Sequence, residues 1–417
     1  MGDIVNMQDV KNGKISDIEW AFVGKRKDGT TYPEKVWQNL ELILKKHNIK
    51  LKFNEISKQV ETEPPRENTK RNTLLTDIYT LNVLEGLYLS RDETLNCINK
   101  IAENNSYNPF LDIIREHEND DYELINKLFN CIKIKDVENY DYYYTLFVKW
   151  CINVVKMAHN TLENEYRLAG VLVLQGEQGC RKTTFVERLM PAKQLYKCDK
   201  TLNPEKTDSV IENTKYILVE WGELDSTLKG EQAKLKQFIT ASSDEYRAPY
   251  ARLPETYPRL TSYIGTVNKL DFLKDETGSR RFWIIPVKGF DFEILDSIDK
   301  RKFWGAVYSL WKSGRVKDYL EEDEFEKLNV INKDYNYQSD VSLLIEERFD
   351  WDTPEDSWEI HGLKEIASYL GYLGCSETKK IKVELEKKGL RYGAHRSLGG
   401  RVKKGFKLPP FEKTYLC

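Results

Sequence analysis

Residues 170–185 read GVLVLQGEQGCRKTTF. An apolar, β-branched run of strand length ends at Gln175. A glycine-bounded turn follows, and then a segment without helix breakers that continues as TTFVERLM. A strand, a loop and a helix in that order are the setting of a phosphate-binding loop, whose pattern is G-x-x-x-x-G-K-[ST]. Gly176 opens the pattern and Lys182 with Thr183 closes it, but Arg181 stands where the sixth-position glycine is expected. The loop Gly176, Glu177, Gln178, Gly179, Cys180, Arg181, Lys182, Thr183 and Thr184 is therefore the candidate ATP site. Backbone N–H groups at a helix N-terminus would cradle the phosphates, Lys182 would reach the β- and γ-phosphates, and the Thr183 hydroxyl would ligate Mg²⁺. Glycine at the sixth position supplies backbone freedom. Arg181 fits without cost if its φ is negative, and costs about 1 kcal/mol if φ is positive.

The period of the sequence changes around this loop. From 73 to 165, stretches such as NVLEGLYLSRDETLNCINKIAENN and YYYTLFVKWCINVVKMAHNTL carry apolar residues at helical spacing. From 170 onward the short runs GVLVLQ, YILVEW, TSYIGTVN and RFWIIPV alternate with helical stretches or long loops, which predicts an α/β domain with a mainly parallel sheet. Ahead of these, PEKVWQNLELILKKHN reads as a helix with Pro33 at its start, and KQVETEPPRENTKRNT as a linker. The last part reads as two short helices, GLKEIASYLG and SETKKIKVELEKKGL, and a basic hairpin, RYGAHRSLGGRVKKGFKLP. That is the order of a winged helix. The expected division is an accessory region and linker at 1–72, a helical oligomerisation region at 73–165, an ATPase domain at 166–344 and a winged-helix-like domain at 345–417.

A phosphate cradle needs an acid on a neighbouring strand to hold Mg²⁺ and orient water. KYILVEWGELD supplies Glu220 and Glu223, expected just beyond an apolar strand Tyr216–Val219, at the edge where open α/β sheets bind ligands. Asn268 ends the next strand and is suited to position the attacking water. Arg280 and Arg281 follow in ETGSRRFWII; an arginine given by a neighbouring subunit would neutralise transition-state charge.

LQGEQGCRKTTF, ILVEWGELD, LKQFITASSDEYRAPYAR, YIGTVNKLDFLKDETGSRRFWIIPV and FWGAVYSLWKSG together resemble the virulence-associated protein E family, over roughly 105–325. The motif order is similar to that of superfamily 3 helicases, a branch of the AAA+ ATPases that form ring-shaped, usually hexameric, motors on DNA. The resemblance implies an AAA+ P-loop core using ATP and Mg²⁺, with Gly176, Gly179, Lys182 and Thr183 as Walker A. It makes Glu220 and Glu223 Walker B, with Thr183 and Glu220 on the metal, Asn268 sensor 1, and Arg280 or Arg281 the arginine finger. It also implies a homo-hexamer of a phage-related mobile element that acts on single-stranded and origin duplex DNA, with a primase or other replication protein as partner. The first 100 residues are too short for the primase domain that the family often carries. Between Walker B and sensor 1 such motors hold a DNA-gripping hairpin, which places Arg247, Tyr250 and Arg252 as DNA contacts; the structural alternative pairs Arg247 with Asp244.

The chain as a whole carries a net charge of −3, so any nucleic-acid surface is local. Over 376–407, eleven Lys and Arg stand against three Glu, a net of +8, which leaves −11 on the first 375 residues. Lys379, Lys380 and Lys382 on the second helix, and Arg396, Arg401, Lys403 and Lys404 on the hairpin, are the candidate duplex contacts. Seven cysteines without a C-x-x-C pair argue against a disulfide framework or a zinc site and fit a cytoplasmic setting. No apolar run is long enough to span a membrane. Three functions remain in view: an ATP-driven helicase or replication initiator, a DNA-binding ATPase that remodels other proteins without unwinding, and a DNA-binding regulator with a decayed loop.

Overall fold

In the computed structural model, Val171–Gln175 is buried along its whole length, with strands beside it on both edges and the helix Tyr140–Ala158 packed against it. It lies inside a six-stranded sheet. The spatial order is Ile132–Ile134, Phe282–Phe290, Val171–Gln175, Ser262–Val267, Leu218–Trp221 and Tyr196–Lys200. The last five strands are mutually parallel, and Ile132–Ile134 adds an antiparallel edge. The architecture is mixed α/β with a mainly parallel sheet. The structure describes residues 17–64, 71–222, 224, 228, 232–247, 253–273, 279–336, 339–372, 377–396 and 402–411.

Two compact units make up the chain. The first spans 1–269 and 277–332, and the second 270–276 and 333–417. In the first unit the helix Tyr140–Ala158 is buried on nearly every side, and its Trp150 indole donates to the Tyr263 carbonyl of the sheet at 3.0 Å. Its residues share one hydrophobic core with Leu172, Leu174, Ile264 and Ile285, so packing runs continuously across position 165.

The N-terminal part of this unit has its own core, in which Leu40, Ile43, Leu44, Leu51, Leu81, Ile98 and Ile101 join three helices to a small sheet. Two local expectations change here. Pro33 does not open a helix. It ends the strand Thr31–Pro33, opposite Val23, and the helix runs Trp37–Lys46. The segment read as a linker begins with a strand, Gln59–Glu63, paired antiparallel to Lys50–Asn54.

The second unit is ordered helix Asp340–Arg348, strand Glu359–His361, helices Leu363–Tyr369 and Thr378–Lys387, then strands Gly393–Arg396 and Val402–Leu408. The strands form one sheet with Val402–Leu408 in the middle. Val341 and Ile345 pack with Ile366, Ile381, Leu385, Phe406 and Leu408. The helix Asp340–Arg348 therefore belongs entirely to this unit, and a boundary at 344/345 would cut through it.

Candidate functional site

Three parallel strands deliver their C-terminal ends to one place. Gln175 leads into the 176–181 turn, Val267 leads into Asn268, and Leu218–Trp221 carries Glu220. The Gly176 N–H donates to the Val267 carbonyl at 3.1 Å. A Cβ at Gly176 would stand 2.4 Å from the Val287 carbonyl oxygen, so a residue without a side chain is required there. Gly179 lies at φ +87°, in the left-handed region open to glycine. Arg181 lies there too, at φ 67° and ψ 36°, so the costly alternative for this residue is the real one.

Lys182 begins the helix Lys182–Glu187 and is buried. Its ammonium donates to the carbonyls of Gly176 at 2.8 Å and Glu177 at 3.0 Å, and to Asn268 Oδ1 at 2.8 Å. It stands 3.6 Å from Cys180 Sγ. The Thr183 hydroxyl donates to Glu220 Oε1 at 2.8 Å, as does the Thr266 hydroxyl at 2.8 Å. Glu220 Oε2 accepts from the Asp199 N–H at 3.2 Å. Glu220 is fully buried and lies inside its strand, with Trp221 continuing it, rather than beyond the strand as expected. Burial and the neighbouring Glu220 carboxylate push the Cys198 thiol well above its ordinary range.

The structure thus gathers Gly176, Lys182, Thr183, Glu220 and Asn268. Thr266 and Asp199 join them unannounced by any motif; only the strand pairing places them. Glu223 lies outside the described residues. Arg280 and Arg281 are not at this edge. They precede Phe282, which pairs with Val171 at the start of the loop-bearing strand. Five residues of strand then separate them from the loop, about 16 Å at a rise of roughly 3.3 Å per residue. They line a cavity with Ala169, Thr240, Tyr319 and Phe325, and Arg280 is exposed.

Between Glu220 and Asn268 the chain forms an antiparallel pair, Ser243–Tyr246 with Glu255–Pro258. Arg247 is exposed at its outer end; Tyr250 and Arg252 lie outside the described residues. Asp244 is paired with Arg259, a residue the motifs did not single out. The buried Arg259 guanidinium donates from Nε to Asp244 Oδ2 at 2.8 Å, and from its other nitrogens to Asp244 Oδ1 and the Phe238 carbonyl. From the N-terminal part, Lys58 reaches the rings of Tyr257 (4.9 Å) and Tyr246 (5.3 Å), and burial pushes its ammonium down to about 8. Replacing Arg259 with leucine strands the Asp244 carboxylate in the interior. We expect a loss of about 3–5 kcal/mol, read as a lowered urea midpoint. Asp244→Asn with Arg259→Leu should recover part of it, and equal losses in the single and double variants would show that the pair does not hold the hairpin base.

In the second unit, Lys379 and Lys380 are exposed on the helix Thr378–Lys387, and Lys403 and Lys404 on the strand Val402–Leu408. Lys380 pairs with Glu377 (2.9 Å), Lys382 with Glu386 (3.6 Å) and Lys403 with Glu365 (2.9 Å). Lys404 stands 5.8 Å from the Tyr392 ring centroid. Exposed pairs of this kind contribute about 0–1 kcal/mol. Arg396 lies in the strand Gly393–Arg396, and Arg401 falls outside the described residues.

Residues 114–337, more than half of the chain, match the virulence-associated protein E-like domain. The chain belongs to that family. The virulence-associated protein E-like domain takes in the whole parallel sheet and its loop. No curated protein matches the chain. Among solved structures, three of the NrS-1 C-terminal region are similar over most of the chain at 12% identity. One, described as the apo structure of residues 305–718, covers 92% of this chain and all of its own, with a TM-score of 0.49. Two described as the A form cover 90% of this chain and 100% and 99% of their own, with TM-scores of 0.46 and 0.47. Among the described residues no helix is long and apolar enough to cross a membrane.

Proposed function

We propose that the protein is an ATP-driven, ring-forming DNA helicase or replication initiator of a phage-related mobile element, built on an AAA+ P-loop core with a C-terminal winged helix. The observation that carries this is the meeting of a lysine ammonium, a threonine hydroxyl, a buried carboxylate and an asparagine amide at the C-terminal edge of a parallel sheet. That edge is where such sheets bind ligands. The loop amides and Lys182 would hold the triphosphate, and Asn268 would orient the attacking water beside the γ-phosphate. The Thr183 hydroxyl and Glu220 carboxylate are hard oxygen donors 2.8 Å apart, a set that suits Mg²⁺. When bound there, Mg²⁺ neutralises charge on the phosphate oxygens. Arg280 and Arg281, a strand length from their own loop, suit donation to a neighbouring subunit's site, which favours a ring such as a hexamer.

The second unit's order, with a helix ahead of a basic hairpin, supports duplex recognition in the winged-helix manner. The antiparallel pair anchored at Asp244 and Arg259 supports a contact to single-stranded DNA from Arg247, Tyr250 and Arg252. A primase or other replication protein remains the natural partner class.

The test is Mg²⁺-dependent ATP hydrolysis with and without DNA, run beside strand displacement on a forked duplex. Hydrolysis without displacement would turn the reading to a remodeller, and ATP binding without hydrolysis to a regulator. Glu223→Gln should bind ATP and lose turnover, whereas Glu220→Gln should also weaken Mg²⁺-dependent binding. The opposite pattern would exchange the two roles.

A further inference from the structure

Arg181 occupies a left-handed backbone position, where a side chain is disfavoured and glycine is not. What offsets this is visible. The Arg181 guanidinium stands 4.0 Å from the centroid of the Phe292 ring. No carboxylate pairs with it among the described residues, whereas Arg188, 4.9 Å from the same ring, is held by Asp296. Phe292 is itself fixed. It opens the helix Phe292–Ser297, whose N-cap Asp291 accepts from the Ile294 N–H, and its ring meets Phe290 at 6.1 Å. Phe290 stacks on Phe185 at 4.5 Å, and the Phe185 N–H donates to the Arg181 carbonyl at 3.1 Å. A closed circuit therefore runs from the loop through the guanidinium, the three rings of Phe292, Phe290 and Phe185, and the first turn of the helix back to the loop.

We infer that Phe292 is a positioning residue for the loop: its ring, acting on the Arg181 guanidinium, holds the backbone turn ahead of Lys182 in the shape that receives nucleotide. The consequence for nucleotide rests on the reading of residues 176–183 given above. A cation–π contact of this kind biases the loop by about three- to five-fold. A loop less often in the receptive shape binds more weakly in proportion, while the bound geometry, once reached, is the same.

The experiment is a double-mutant cycle on the full chain. Phe292→Leu keeps apolar contact with Phe290 and removes the ring face; Phe292→Tyr keeps the face. Phe292→Leu should raise the MgATP Kd and KM about three- to five-fold, leave kcat at saturation near the parent, and speed hydrogen exchange of the amides between 179 and 184. Phe292→Tyr should restore all three. In the Arg181→Gly background, where the left-handed turn needs no support, Phe292→Leu should change neither Kd nor exchange. Equal losses in both backgrounds would show that Phe292 acts through general packing, and no loss in either that the stack carries nothing; each overturns the inference. Faster exchange without any Lys182-dependent ATP binding would leave the positioning role standing and overturn the nucleotide reading instead.

Discussion

Lys182→Ala should abolish the proposed ATP hydrolysis, lowering kcat/KM by on the order of a hundred-fold or more, the range found when one preorganised donor to a developing oxyanion is removed. The reason is where the ammonium sits. It is buried, within 3.0 Å of two loop carbonyls and the Asn268 amide oxygen, so it tethers the loop to the neighbouring strand and stands where the β- and γ-phosphates would arrive. Lys182→Arg should fail as well. A planar guanidinium cannot point three donors at acceptors gathered around one compact charge. Both variants should unfold within a few degrees of the parent, because the acceptors left behind lie at the solvent edge of the sheet, with Glu177 and Asn268 exposed. The measurement is steady-state ATPase with a thermal melt alongside. A Lys182→Ala protein that hydrolyses ATP as fast as the parent removes the loop assignment.

Four of the five parallel strands are legible because burial on both faces favours mainly apolar runs, as in VLVLQ; the fifth, Tyr196–Lys200 at the sheet edge, alternates charged and apolar residues and escapes the reading. What escaped depends on partners far along the chain. Glu220 reads as the residue after a strand because charge usually ends one. In the fold Trp221 extends the strand by stacking on Tyr263 at 4.4 Å, and three donors satisfy the carboxylate. Gln59–Glu63 reads as linker because its acids mask the alternation. The strand is supported by Lys52, which pairs with Glu63 at 2.8 Å, and by Glu61, which accepts from Asn54 at 2.9 Å. Proline at position 33 suits both a helix start and the end of an edge strand, so the residue alone does not choose. Asp244 has a local arginine at 247, but burial rewards the partner that comes with the facing strand, Arg259. The φ of Arg181 was open for the same reason: the ring that supports it belongs to a helix more than a hundred positions away.

Removing residues 339–417 should weaken binding to duplex DNA by at least about ten-fold at moderate salt. It should also flatten the salt dependence, by roughly 0.9 in log–log slope for each phosphate that is no longer neutralised. The cut follows the packing. It takes out the core built on Val341, Ile345, Ile381 and Phe406 as one piece, and it leaves Tyr335, whose carbonyl accepts from the Leu273 N–H at 2.9 Å. A cut at 345 would split the helix Asp340–Arg348 and confuse unfolding with removal of the basic surface. That surface leaves with the segment, including Lys379, Lys380, Lys403 and Lys404. ATP hydrolysis should survive, since Lys182, Thr183, Glu220 and Asn268 all lie in the other unit. The physical reason for this division is that a motor moving along DNA must hold any sequence, and so grips the backbone, whereas choosing a site requires base edges. Fluorescence anisotropy on duplex DNA across a salt series, with ATPase in parallel, reads both halves. Full duplex affinity in the truncated protein removes the winged-helix reading. Lost ATPase with assembly intact makes the second unit part of the motor.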